Sequence, residues 1–155
     1  MPDPEPPTTQ AAEAGPGEAD QERRALIDVL DGLRAGAPEG CRRVDLAARM
    51  LVSAYESEIF YTLADGTTVP GPVDDPEIAR RLQSHREVYY RTHGRTWYSL
   101  RMCLPDDDEF SSGANYRWEP LWREAVPTAK YQEDLGRFPI PHERAPYWLR
   151  AKFAG

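Results

Sequence analysis

Reactive side chains are scarce in this chain. It has two cysteines, Cys41 and Cys103, and three histidines, His85, His93 and His142. The cysteines stand alone, without CxxC spacing. They form neither a zinc motif nor a disulfide framework, and both are expected to be reduced thiols. The histidines lie in different segments, and none has a second histidine or a HExxH-type acid at helical spacing, so the sequence signature of a metal site is missing. His85 falls on an apolar helical stripe and reads as a structural residue. Ser99, Ser111 and Ser112 lack a GxSxG elbow, and the chain has no P-loop and no GxGxxG. The expectation is therefore no metal, no cofactor and no enzymatic activity. A basic excess is also missing: 19 basic residues face 26 acidic ones, a net charge of −7, which leaves no nucleic-acid footprint. No window approaches the ~20 apolar residues of a membrane span, and no basic patch followed by an apolar run marks a secretory signal, so a cytoplasmic location is expected. Lysine is rare too, two against 17 arginines, a usage that fits a GC-rich bacterial gene.

What is present is unevenly distributed. Residues 1–20 contain five of the 15 prolines and five acids but no base, so the remaining 135 residues carry only −2. Residues 1–18 are too polar to offset their ordering entropy and are expected to be a disordered tail. Residues 19–155 are long enough for one domain with a real core.

Asp20 is a candidate N-cap for a helix through Arg34, with Leu26, Leu30 and Leu33 on one face and Gly36 and Pro38 ending it. Residues 42–54 alternate Val44, Leu46, Ala48, Met50 and Val52 with more polar positions. Their alanines would suit a helix, but the period of two favours a strand. Glu58 to Leu63 reads as a second strand, Asp65-Gly66 as a turn and Thr67 to Val69 as a short third strand. Asp75-Pro76-Glu77 is a helix start, with Ile78, Leu82, His85 and Tyr89 in one stripe and His93-Gly94 at its close. Thr128 can cap a short helix, and 145–153 forms a helix-like ending. Helix, strands, helix, strands, helix implies an α+β fold: an antiparallel sheet with helices packed mainly on one face.

The stretch from Gly94 to Trp122 holds three of the four tryptophans. It reads as a strand to Leu104, a polar turn and a second strand from Phe110 onward. Strict alternation would put Trp97, Ser99, Arg101 and Cys103 on one face and Tyr98, Leu100, Met102 and Leu104 on the core face. Tyr116 and Trp118 would share a face of the second strand. Tryptophan and arginine are typical interface anchors. The turn residues Asp106, Asp107, Asp108 and Glu109 lack EF-hand spacing. They read either as a solubilising hairpin tip or as an anionic knob for a basic partner. Trp97, Arg101, Trp118 and the four acids are thus the expected partner contacts.

The segments Gly-x-x-Trp-Tyr-Ser (Gly94 to Ser99), Asn-Tyr-x-x-x-Pro-x-Trp (Asn115 to Trp122), Tyr-x-x-Asp-Leu-x-x-Phe-Pro (Tyr131 to Pro139) and Pro-x-Trp-Leu (Pro146 to Leu149) occur in that order. Together with the Ala-Pro-Glu-Gly turn at Ala37 to Gly40 and the Asp65-Gly66 hairpin, they resemble the YezG-like immunity proteins of bacterial polymorphic toxin systems. The resemblance spans about Leu26 to Leu149 and departs from the family pattern at Cys41 and Ile140. It implies a small cytosolic α+β protein that binds and neutralises the toxin domain of a cognate effector, often a nuclease, without binding nucleic acid or membrane itself. No catalytic residues follow from that role. Two other readings stay open: a ligand pocket or enzyme site built around His93, Trp97, Arg101 and Tyr116, and an interaction module whose Pro-rich tail does the binding.

Overall fold

The computed structural model describes residues 16–107 and 109–154. Helix α1 (Pro16–Gly36) leads into strands β1 (Cys41–Leu51), β2 (Ala54–Leu63) and β3 (Thr68–Pro70). Helix α2 (Pro76–His93) follows, then β4 (Ser99–Pro105), β5 (Ser111–Asn115), α3 (Thr128–Arg137), a 3₁₀ turn (His142–Arg144) and α4 (Tyr147–Lys152). The five strands form one sheet in the order β3-β2-β1-β4-β5, and every neighbouring pair is antiparallel. The α+β architecture expected from the sequence is the one observed. Residues 1–15 of the expected disordered tail lie outside the described residues, whereas 16–18 are helical.

One face of the sheet is covered by α1 and α2. Val44, Leu46, Ala48 and Met50 of β1 join Leu100, Met102 and Leu104 of β4 against Val29, Leu30 and Leu33 of α1 and Ile78 and Leu82 of α2. The period-two pattern of β1 is what aims these side chains together. Helix α2 is delimited as its sequence demands. Asp75 Oδ1 accepts from the amides of Glu77 and Ile78, Pro76 opens the first turn, and Gly94 closes the helix at φ 73°, a left-handed conformation that favours glycine. Gly32 lets the two helices approach, because a Cβ there would sit 2.9 Å from Cδ of Arg81, which itself bonds Asp28 across the gap.

A second, smaller core closes one end of the sheet. Leu51, Tyr98, Tyr131 and Leu149 are buried there with Trp122 and Trp148 packed around them. Its polar centre is an ion pair with no solvent access. Arg86 of α2 grips Asp134 of α3 with two bonds of 2.7 and 3.0 Å, and its Nε donates to the carbonyl of Trp97. Asp134 also accepts the amide of Val52 in the β1–β2 turn at 2.8 Å. One carboxylate thus ties the C-terminal segment to both α2 and the sheet.

The structure moves several boundaries, among them the end of β1, at Leu51 rather than Ala54, and the start of β4, at Ser99 rather than near Gly94. Helix α1 is already formed at Pro16, the first described residue, four residues ahead of Asp20. Asp20 lies inside it and pairs with Arg24. Strand β2 starts four residues ahead of Glu58, directly after the tight turn at Val52 and Ser53. Strand β5 stops at Asn115 rather than running to Trp122. Asn115 Oδ1 accepts the amide of Arg117, an Asx turn that takes the chain out of the ladder.

Candidate functional site

Among the described residues no helix covers the other face of the sheet. Reading across the strands in register, its side chains form three rows: Phe60, Asp45, Cys103 and Ser111; then Glu58, Ala47, Arg101 and Gly113; then Glu56, Arg49, Ser99 and Asn115. The small residues Ala47, Ser99, Cys103 and Gly113 leave a depression between larger neighbours. It forms two adjoining hollows of about 440 and 230 Å³, both lined by Ala47 and Arg101. Phe60 stands at one end, 43% exposed. At the other stand Trp118 and Leu121, 68% and 89% exposed, carried by the segment after β5.

That segment is fastened by a network of charge. Arg49 donates to both oxygens of Glu58, at 2.8 and 2.6 Å, and to Glu56 at 3.1 Å. Glu56 accepts the backbone amides of Arg123 and Glu124 at 2.6 and 3.1 Å. The Arg123 guanidinium reaches Glu58 at 2.9 Å and also bonds Asp74. The hydrogen bond from Arg49 holds the Glu58 carboxyl below its ordinary range. Burial alone would raise Glu56, but the amides of Arg123 and Glu124, aided by Arg49, outweigh it and bring Glu56 down as well. Both are carboxylates at neutral pH. Trp148 adds a further tie, donating to the carbonyl of Arg117 at 2.9 Å.

The charges on this face therefore largely cancel in pairs, with Arg43 on Asp45 at 2.8 Å completing the set. Arg101 is the exception. It is exposed at the middle of the depression, and among the described residues nothing pairs with it.

The chain matches no protein-family model and no curated protein.

Arg101 and Trp118 are both accessible, and both line the same hollow. Trp97 is not accessible: it is fully buried, and its Nε1 donates to Nδ1 of His85 at 3.0 Å. The expectation that it contacts a partner is thereby corrected. The cause is local. Tyr98 donates its amide to Asn115 on one side and accepts from the amide of Met50 on the other, whereas a regular strand residue points both groups the same way. The alternation breaks there, and Trp97 turns under α2.

The acidic turn lies beyond the Phe60 end of the depression, away from Trp118. Asp106 pairs with Arg42 at 3.0 Å, Asp107 accepts the amide of Glu109, Glu109 is exposed, and Asp108 lies outside the described residues. Asp106 is thus partly neutralised rather than part of a free knob.

The pocket expected from His93, Trp97, Arg101 and Tyr116 does not assemble. His93 and Tyr116 share a hollow with Arg95 and Arg144, Trp97 is in the core, and Arg101 is on the open face. A separate apolar cavity of about 420 Å³ lies between α3 and α4, lined by Leu135, Ile140, Tyr147 and Phe153. Among the described residues no cluster of side chains has the makings of a metal site, and no helix is long and apolar enough to cross a membrane.

Sequence reasoning missed Phe60, Leu121 and the Arg49–Glu56–Glu58 cluster. Phe60 carried a signal, since it shares strand parity with Glu56 and Glu58 and so is an apolar residue on a charged face. The pairs within the cluster span only seven to nine residues but become visible once the turn at Val52 and Ser53 is placed, whereas its ties to the 123–124 segment, 67 and 68 residues away, carried no signal.

Proposed function

We propose that this chain is an immunity protein. It binds a cognate bacterial toxin domain through the open face of its sheet and neutralises it stoichiometrically, by covering the toxin's active site in the cytoplasm. One observation carries this reading. Among the described residues, Phe60, Trp118 and Leu121 stand exposed around an unpaired arginine on a helix-free face, an apolar and aromatic grouping that monomeric surfaces seldom leave bare. The net charge of −7, five units of it on residues 1–20, would draw a basic partner such as a nuclease domain toward the molecule. The motif order from Gly94 to Leu149 supports the same role.

The test is co-expression with the effector domain encoded beside the gene. The wild-type chain is expected to copurify with that domain and to protect the cells. Trp118→Ala removes a largely exposed side chain for which, among the described residues, no hydrogen bond or ring contact is made, so its melting temperature should stay close to wild type. Its binding should weaken by roughly thirtyfold or more, the loss typical of a hot-spot residue. Full protection by both Trp118→Ala and Arg101→Ala would exclude this face as the binding surface.

A further inference from the structure

The two edges of the sheet are not alike. Strand β3 is three residues long and ends in Pro70, a combination that blunts an edge. Strand β5, Ser-Ser-Gly-Ala-Asn, has no charge, no proline and no bulky side chain, and its first three residues are exposed.

Its open hydrogen-bonding groups follow from the register. The carbonyl of Tyr98 accepts from Met50 of β1, so the next amide, Ser99, faces β5. Ser99, Arg101 and Cys103 then bond to Asn115, Gly113 and Ser111. The peptide groups of Ser112 and Ala114 point away from the sheet, and among the described residues nothing bonds to them.

Gly113 adds the second element. It is the register partner of Arg101 and lies between that arginine and the open edge. A Cβ there would meet nothing within 4 Å, so the space above it is empty. A strand added outside β5 would lie two strand spacings from β4, about 10 Å. An extended arginine and a facing Asp or Glu can close that gap only if the strand between them carries no side chain.

From these observations we infer that the partner contributes an extended segment that pairs with β5 and becomes the sixth strand of the sheet. In the row of Gly113 that segment carries an Asp or Glu, which crosses above the glycine to Arg101. Its flanking apolar side chains lie toward Trp118 and Leu121. Main-chain bonds to Ser112 and Ala114 hold the segment, and the Arg101–carboxylate pair sets its register. A peptide segment with a single carboxylate fits better than a nucleic-acid backbone, because one Asp or Glu can meet Arg101 alone, whereas repeated phosphates would also meet the carboxylates of Asp45, Glu58 and Glu119 around the same depression. This inference rests on the proposed role of the open face.

The experiment uses the full chain, and the probe is the purified effector domain encoded beside the gene. Ser112→Pro deletes one outward amide and leaves the bonds to β4 in place. Gly113→Val fills the space that the ion pair crosses. Each is expected to weaken binding at least tenfold, while Ser112→Ala binds as wild type. Arg101→Glu should lose about a hundredfold, and an Asp/Glu→Arg scan of the effector domain should find one position that restores it. Hydrogen exchange at the Ser112 and Ala114 amides should slow in the complex, a readout that needs no variant to fold.

Unchanged exchange at those amides, with Trp118→Ala still losing binding, would overturn strand addition and leave the open face as the binding surface. Normal binding by Trp118→Ala and Arg101→Ala would overturn the face itself. Arg101-dependent binding of a fluorescent duplex oligonucleotide in a parallel titration would overturn the acidic-segment assignment. No binding of the effector domain by the wild-type chain would overturn the functional reading and this inference together.

Discussion

Replacing Asp134 with alanine is expected to cost about 3–5 kcal/mol, the range for removing one partner of a buried ion pair. Arg86 has no exposed surface and Asp134 is 1% exposed, so the arginine left behind cannot turn to water. It would keep the carbonyl of Trp97 and the faces of Trp97, Tyr98 and Phe138, whose ring centres lie 5.1–5.7 Å from its guanidinium carbon. Those rings moderate the loss but cannot replace two charge-assisted bonds. The Val52 amide loses its acceptor as well. Urea unfolding followed by tryptophan fluorescence would measure the change as a lower midpoint.

The paired substitution Arg86→Met with Asp134→Leu removes both charges while filling the same volume. It should recover most of the lost stability, since buried pairs exchanged for apolar groups are often close to neutral. A cost below about 1 kcal/mol for Asp134→Ala would mean that Arg86 finds another partner, and the pair would not be what fastens α3 to the sheet.

The second large effect is a dependence of stability on pH. Burial pushes the His85 imidazole down from 6.5 to about 4, with the charge of nearby His93 acting in the same direction. Protonation would also set an N–H of the ring against the N–H of Trp97, which now donates to Nδ1. The unfolded chain takes up this proton near pH 6.5, whereas the folded chain refuses it until about pH 4. The contribution is complete above pH 6.5, declines as pH falls through that window, and is flat below pH 4. Over the whole span it amounts to roughly 3 kcal/mol. His85→Gln retains an acceptor for Trp97 but has no proton to bind in this range. Wild type minus variant, taken from urea midpoints between pH 7 and pH 4, should isolate the slope. A difference that does not change with pH would show that His85 titrates normally.

The sheet was legible where sequence spacing and ladder geometry agree. Val44, Leu46, Ala48 and Met50 alternate without interruption because β1 is the central strand and is paired on both sides. The cap at Asp75 and the stop at Gly94 were legible because both act through local backbone geometry. Trp97 was misplaced because the irregular peptide at Tyr98 depends on Met50 and Asn115, and neither is a sequence neighbour. Arg86 was passed over for a related reason. An arginine on a helix reads as solvent-facing until its carboxylate, 48 residues later, is brought alongside. Of the two expected contacts that line the open face, Arg101 followed from strand parity. Trp118 did not: it is exposed because the chain has already left the ladder, and the expected second strand would have given the right residue for another reason.

The fastening at Glu56 has a consequence for how such a surface can diversify across a lineage. Its two bonds to the 123–124 segment are made to main-chain amides, which every residue except proline supplies. The aromatic and aliphatic tips at positions 118 and 121 can therefore be exchanged while the same carboxylate keeps hold of the backbone behind them. Substitutions at those two positions leave this hold on the backbone in place, so the exposed tips can change without rebuilding the scaffold that presents them.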